Sequence, residues 1–340
     1  MTGERYSRQE LFSPIGRAGQ EKIRSARVLV MGCGGLGSHG ASLLARAGVG
    51  LLRIVDRDFV ELSNLQRQEL FEEADAAGPI PKAVAAARRI RAINSEVQVE
   101  PVVADVDPGS VLSLLDGVDL VLDGLDNFEG RYVLNDACVQ RGRPWVYGAC
   151  VGSTAMATLV VPGETPCLRC LHRELPEPGA GDTCDRVGLI GPAAALAAAL
   201  QVAMALRYLV ERKAPPVATL ICSDLWDLRT ERLVLPPRDA LACPCCALRR
   251  FDFLEASHRS ATALCGREAV QVRALSAHPP DLAALAERLR GLGTVRSNEF
   301  LLRLVVPPYE LTLFQDGRAI VKGTGDEALA RSLVSRWIGV

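Results

Sequence analysis

The feature that most constrains the fold of this 340-residue chain is Gly32-Cys33-Gly34-Gly35-Leu36-Gly37, which follows the apolar run Arg27–Met31 and opens a helical pattern over Gly35–Ala47. A strand, a glycine turn and a helix in immediate succession form the first unit of an open α/β sheet. Glycines let the backbone approach a phosphate, and the helix start offers unpaired N–H groups with about half a positive charge. The loop therefore predicts a nucleotide site rather than a merely tight turn. Asp56 ends the next apolar run, Leu51–Val55, where a carboxylate usually meets a ribose hydroxyl.

The same rhythm continues to residue 150. A helix is predicted over residues 81–93, with Pro81 at its first position, where a missing N–H costs nothing. Strands are predicted at 97–103, 118–122 and 145–147, with a helix at 131–140. Their near-continuous apolar character implies α/β architecture: a Rossmann-like, mostly parallel sheet flanked by helices. Later residues give a strand at 155–161, a Gly/Pro-rich segment at 162–192, an Ala-rich helix and strand-like runs at 217–235. A small α+β domain follows, with a strand at 269–273, helices at 281–291 and 326–337, and three short strands between 294 and 322. An Asp316-Gly317 turn joins two of those strands. The expected division is a nucleotide-binding domain over 1–255 and an α+β domain over 260–340.

The chain is 49% hydrophobic and 23% charged, with 39 Lys and Arg against 40 Asp and Glu. Such a balance excludes disorder and non-specific nucleic-acid binding. A charged amino-terminal stretch predicts no secretory signal and a cytoplasmic location. Residues 188–206 are uncharged, but Ala dominates them and they contain Gly191, Pro192 and Gln201, so a buried core helix is predicted rather than a membrane span.

Eleven cysteines are too sparse for a disulfide scaffold. Cys167-Leu-Arg-Cys170 and Cys243-Pro-Cys-Cys246 are two C-x-x-C turns about 70 residues apart, which reads as a closed four-cysteine zinc site, against redox dithiols or core cysteines. Cys245 competes with Cys246 as a ligand, and the two-residue spacing favours Cys246. Cys33, Cys138, Cys150 and Cys222 read as small buried hydrophobes, and Cys265 has no assignment.

Polar groups follow Asp56 over residues 57–68, just beyond the ribose position, and suit a triphosphate better than a nicotinamide. Lys82 sits in the first turn of a helix, a poor place for a cation unless a phosphate lies there. Asp126-Asn127 follows the fourth strand and offers a carboxylate for magnesium or, more simply, a helix cap. The glycine loop and Asp56 alone would serve an NAD-dependent oxidoreductase, and a non-catalytic zinc-stapled scaffold is a third reading.

Arg5-Tyr-Ser-Arg8-Gln9, the loop from Gly32 to Ser38, the Ser63-Asn-Leu-Gln-Arg-Gln68 core, Lys82, Asp123-x-x-Asp126-Asn127, both cysteine pairs and Thr183-Cys184 recur in this order in the ThiF/MoeB/HesA family. The chain resembles that family over about residues 4–250, and its appendage resembles the extended form of some bacterial members. This resemblance implies a nucleotidyltransferase that uses ATP to adenylylate the C-terminal glycine carboxylate of a ubiquitin-like sulfur carrier protein of the ThiS or MoaD type. The product, a carrier acyl-adenylate, would serve thiamin thiazole or molybdopterin synthesis. The resemblance further implies an ATP site lined by Gly35, Asp56, Ser63, Asn64, Leu65, Gln66, Arg67, Lys82, Asp126 and Asn127, with Asp126 on Mg2+. Arg67, Lys82 and Arg8 would meet the phosphates, Arg8 reaching across a homodimer from the other subunit. Cys184 stands where ThiF-type members carry a cysteine proposed to capture the activated carrier, with a sulfur donor such as a cysteine desulfurase as a further partner. Neither nucleic acid nor a membrane is implied.

Overall fold

The structure is a computed structural model that describes residues 2–78, 80–173, 187–238, 242–255, 261–264, 269–272 and 280–338. Strand β1 (Arg27–Met31) is the pivot of the first unit. Val28 and Val30 enter one core and Leu29 and Met31 the other, the period-two alternation of a strand buried on both faces. It pairs in parallel with β2 (Leu51–Val55) on one side and β4 (Leu120–Asp123) on the other. Strand β3 (Gln98–Val102) extends the sheet beyond β2 and β5 (Trp145–Val151) extends it beyond β4, both in parallel. Antiparallel β6 (Thr154–Val160), β7 (Thr219–Asp224) and β8 (Arg229–Val234) complete the order β3-β2-β1-β4-β5-β6-β7-β8.

Helices α1 (Gly16–Ser25), α2 (Gly35–Ala47) and α3 (Lys82–Ile93) cover one face through residues such as Ile23, Leu44 and Ile90. Helix α4 (Phe128–Arg141) covers the other through Tyr132, Leu134 and Ala137. Three residues earlier than the sequence pattern suggests, α4 begins at Phe128, because Asn127 caps it by accepting from Gly130 N at 2.7 Å. Helix α5 (Gly191–Glu211) packs back onto the first face and buries Ala193, Ala197, Val202 and Leu209.

The chain winds outward from β1 in both directions, so the loops after β1 and β4 part at the carboxyl edge and leave a crevice. Three glycines fix its floor. A Cβ on Gly37 would lie 1.8 Å from Gly32 O, and one on Gly124 would lie 2.4 Å from the same oxygen. Gly32 itself has φ +89° and Gly124 O only 2.6 Å from its would-be Cβ. The two loops therefore meet backbone to backbone.

Among the described residues α5 is the one helix long and apolar enough to span a membrane, and it is instead the core helix expected from its Ala content. Its Gln201 is fully buried, with Nε2 donating to Asp123 O at 2.8 Å and Val146 O at 2.9 Å. This one polar side chain satisfies carbonyls at β4 and β5.

The second unit is an antiparallel sheet of β9 (Ala261–Leu264), β10 (Ala269–Val272), β11 (Thr294–Ser297), β12 (Leu301–Val306), β13 (Tyr309–Phe314) and β14 (Ala319–Lys322), in the order β11-β12-β13-β14-β10-β9. Helices α6 (Leu282–Leu289) and α7 (Glu327–Ile338) pack Leu289, Leu333 and Trp337 against Val270, Leu304, Leu313 and Val321. Asp281 caps α6 by accepting from Ala283 N and Ala284 N. The Asp-Gly turn forms as its sequence implies, with Gly317 at φ +82° and Phe314 N donating to Arg318 O at 2.8 Å. Four strands, not three, lie between 294 and 322, because β11 carries one apolar residue and shows no readable alternation. The pairing of β9 with β10 likewise has no clear local signal.

Replacing Gln201 with Leu keeps the volume but removes both donors, and is expected to cost about 1–3 kcal/mol for each carbonyl left unpaired. A urea midpoint lowered at unchanged slope would report this, and an unshifted midpoint would contradict it.

Candidate functional site

Strands β1, β2 and β4 deliver the glycine loop, Asp56 and Asp123 to one edge of the sheet. Asp56 is 9% exposed, and its carboxylate accepts from Cys33 N at 2.6 Å and from Asp58 N at 2.7 Å, which ties the loop after β2 to the glycine loop. Burial pushes the Asp56 carboxyl above its ordinary range, and Lys82 draws it back down. Lys82 opens α3 with its ammonium buried 3.3 Å from Asp58 Oδ2, while its N–H donates to Asp58 O at 2.9 Å. Asp58 thus answers a cation that the helix start disfavours, a partner that the sequence pattern points to only in a phosphate. Arg57 spans both oxygens of Asp105 at 3.2 Å each. Burial works against its charge, but Asp105, Asp58 and Asp126 more than offset that and hold it ionised.

Residues 62–68 fold over the glycine loop. A Cβ on Gly35 would meet Arg67 O at 3.8 Å and Arg67 Cδ at 3.9 Å, and one on Gly191 would meet Gln66 O at 2.8 Å. Arg67 therefore lies across the start of α2, which has no side-chain cap and keeps its first amides available to an anion. Arg67 also donates to Ser63 O at 2.8 Å. Ser63 and Gln66 are exposed, Leu65 packs on the core, and buried Asn64 shapes the turn by accepting from Glu61 N at 3.1 Å. Gln68, to which the sequence reading gives no role, is buried beside Gly34 and its Oε1 has no partner among the described residues.

At the end of β4, fully buried Asp123 meets Arg131 Nε at 3.1 Å, and the same guanidinium donates to Leu125 O and Gly148 O. Burial raises the Asp123 carboxyl and Arg131 lowers it. Asp126 follows, exposed, with Oδ1 accepting from Asn127 Nδ2 at 3.1 Å.

Two site residues named from the sequence are not brought here. Arg8 is exposed on a short helix whose neighbour Gln9 donates to Ala47 O at 2.9 Å, at the far end of α2. The 13 residues of α2 separate that point from the glycine loop by about 20 Å. Cys184 lies outside the described residues.

The two cysteine turns do converge. The sulfurs of Cys167, Cys170, Cys243 and Cys246 all lie within 4.8 Å of one another, with Cys167 to Cys170 at 3.9 Å, Cys167 to Cys243 at 3.7 Å and Cys170 to Cys246 at 3.4 Å. Tetrahedral metal–thiolate geometry calls for sulfurs about 3.8 Å apart, so the four fit such an ion. Cys245 is not one of the four; it is buried, and Asn135 Nδ2 donates to its Sγ at 3.3 Å.

Comparison with known proteins gives this architecture its relatives. The ThiF family model matches residues 6–245. The sulfur carrier protein ThiS adenylyltransferase of Bacillus subtilis is 46% identical, with 100% of both chains covered. The SAMP-activating enzyme E1 of Haloferax volcanii is 39% identical over 74% of this chain and 92% of its own. Among solved structures, E. coli MccB with MccA-N7isoASN superposes with a TM-score of 0.62 at 25% identity, covering 73% of this chain and 75% of that one. With the family model matching most of the first unit, the chain belongs to the ThiF family.

Proposed function

We infer that this protein is an ATP-dependent adenylyltransferase of a ubiquitin-like sulfur carrier, with the ThiS type as its substrate. The observation that carries the reading is the 46% identity to a ThiS adenylyltransferase over the full length of both chains, the second unit included. An oxidoreductase reading gives no work to Arg67, Lys82 and Asp126.

ATP is the nucleotide that the crevice suits. The uncapped start of α2 and the glycine loop would hold phosphates, Asp56 the ribose, and Ser63 to Arg67, Lys82, Asp126 and Asn127 the remaining contacts. A carrier's terminal carboxylate has a pKa of about 3.3–3.7 and is ionised at neutral pH, so no general base is required. Its oxygen attacks the α-phosphorus, the bond to the bridging oxygen breaks, and pyrophosphate leaves with the electron pair. ATP brings about four negative charges, magnesium removes two and the carboxylate adds one, leaving about three to be answered. Arg67, Lys82 and Arg8 are the cations that would answer them, Lys82 sharing its charge with Asp58. Since Arg8 lies about 20 Å from the glycine loop in its own chain, a second copy would have to supply it, which makes the active form a homodimer. Exposed Asp126 suits Mg2+, a hard cation that keeps much of its water. Zn2+ suits the four sulfurs, where it would supply structural closure and no chemistry. Cys184 is the thiol for later capture of the activated carrier, with a cysteine desulfurase as sulfur donor in the cytoplasm.

Carrier-dependent exchange of pyrophosphate into ATP tests the reading. Arg67→Ala and Asp126→Ala are each expected to lower the exchange by at least about 100-fold, while Cys184→Ala keeps it and blocks only sulfur transfer. No exchange by the wild type with a Gly-Gly-ended ThiS-type carrier would refute it.

Mixing the Arg8→Ala and Arg67→Ala proteins should restore exchange that neither shows alone, because one site of each mixed dimer then holds both arginines. Failure of mixing, with dimer exchange verified by light scattering of tagged chains, would place Arg8 outside the site.

Metal analysis should find one zinc per chain, lost in Cys167→Ser. Stripping it with a chelator should lower the melting temperature, and an unchanged melting temperature would remove the structural role.

A further inference from the structure

A buried polar cluster behind the four cysteines has no part in the adenylation reading. Asn135 and Asp136 are consecutive on α4 and both fully buried. Asn135 Oδ1 accepts from Leu168 N at 2.9 Å, inside the first cysteine turn, and its Nδ2 donates to Cys245 Sγ at 3.3 Å, inside the second. Asp136 accepts from Asn135 Nδ2 at 3.4 Å and from Phe253 N at 3.1 Å. Arg169, again within the first turn, keeps its side chain only 8% exposed. Its guanidinium lies 3.1 Å from Asp252 Oδ2 and 3.9 Å from Asp136 Oδ2, and stands 5.2 Å from the centre of the Phe253 ring. Its buried Nε has no partner among the described residues.

Two loops packing on a helix need none of these groups, and burying them is costly unless something compensates. Arg169 is compensated by Asp252 and Asp136, which meet its guanidinium, and Asn135 by the bonds it makes into both cysteine turns. Cys245 accepts from Asn135, so its sulfur is used as a hydrogen-bonding group.

We propose that Asn135, Asp136, Cys245 and Arg169 form a supporting layer that holds both cysteine turns in their metal-binding arrangement, Arg169 tying the first turn to Asp136 and Asp252 and Cys245 accepting from Asn135 rather than binding metal. The proposal rests on the zinc reading above. Removing such partners from a metal ligand typically weakens the site 10–100-fold.

The test follows zinc transfer from the full-length protein to an excess of a chromogenic chelator, together with melting temperatures of loaded and stripped protein. Asp136→Asn and Cys245→Ala are expected to release zinc about 10–100-fold faster than wild type, and Cys245→Ser, which keeps an acceptor for Asn135, to release it at near the wild-type rate. The loaded forms of the first two should lose more melting temperature than the stripped forms. Wild-type release from both Asp136→Asn and Cys245→Ala overturns the proposal, and so does an equal loss in loaded and stripped protein, which marks a merely structural role. Zinc lost from Cys245→Ala but kept by Cys246→Ser would make Cys245 a ligand and overturn it too. Failure of the zinc reading itself would appear earlier, as wild-type protein that purifies without the metal.

Discussion

The backbone contact among Gly32, Gly37 and Gly124 is the constraint on which the rest of the first unit depends. Each would-be Cβ there falls within 2.6 Å of a carbonyl oxygen, so no other residue fits without moving the loops apart. Their closeness sets α2 directly on the end of β1 and brings the loop after β4 against it. Residues 67 and 68 then lie against Gly35 and Gly34 of the same loop. Gln201 holds the same region from the α5 side by bonding the carbonyls of Asp123 and Val146.

Charge in the crevice is arranged around two buried carboxylates, each with its own cation close by. Asp123 has Arg131, whose remaining donors go to backbone carbonyls on either side of it. Asp56 shares its surroundings with Asp58 and Lys82, and spends its oxygens on backbone N–H groups. Both carboxyls are raised by burial and partly restored by their cations, while Asp126 is exposed and Arg67 partly so. A site of this kind works by positioning and charge, in keeping with a reaction whose nucleophile arrives already ionised.

Helix α4 serves two regions of one unit. Its cap Asn127 and its Arg131 stand at the crevice, and about one turn beyond Arg131, Asn135 meets both cysteine turns. At 3.6 residues per turn, positions 131 and 135 share one face of the helix, so a single packed surface contributes to both.

The sequence by itself determined what depends on neighbouring residues: the glycine turn between strand and helix, the apolar runs of the parallel strands, the Asp-Gly turn at 316–317 and the two C-x-x-C turns. Such features are local, because a turn or a helix start is set within a few residues. Only the tertiary structure decided the pairings. Lys82 finds Asp58 across 24 residues, Cys245 finds Asn135 across 110, and Gln201 finds Asp123 across 78. It also decided that Arg8 stands at the wrong end of α2 for its own chain's crevice, and that Cys246 rather than Cys245 joins the sulfur cluster. The physical reason is the same throughout: a buried charge or hydrogen-bonding group takes whatever partner the packing of distant elements brings to it, and nothing in its own stretch of chain names that partner.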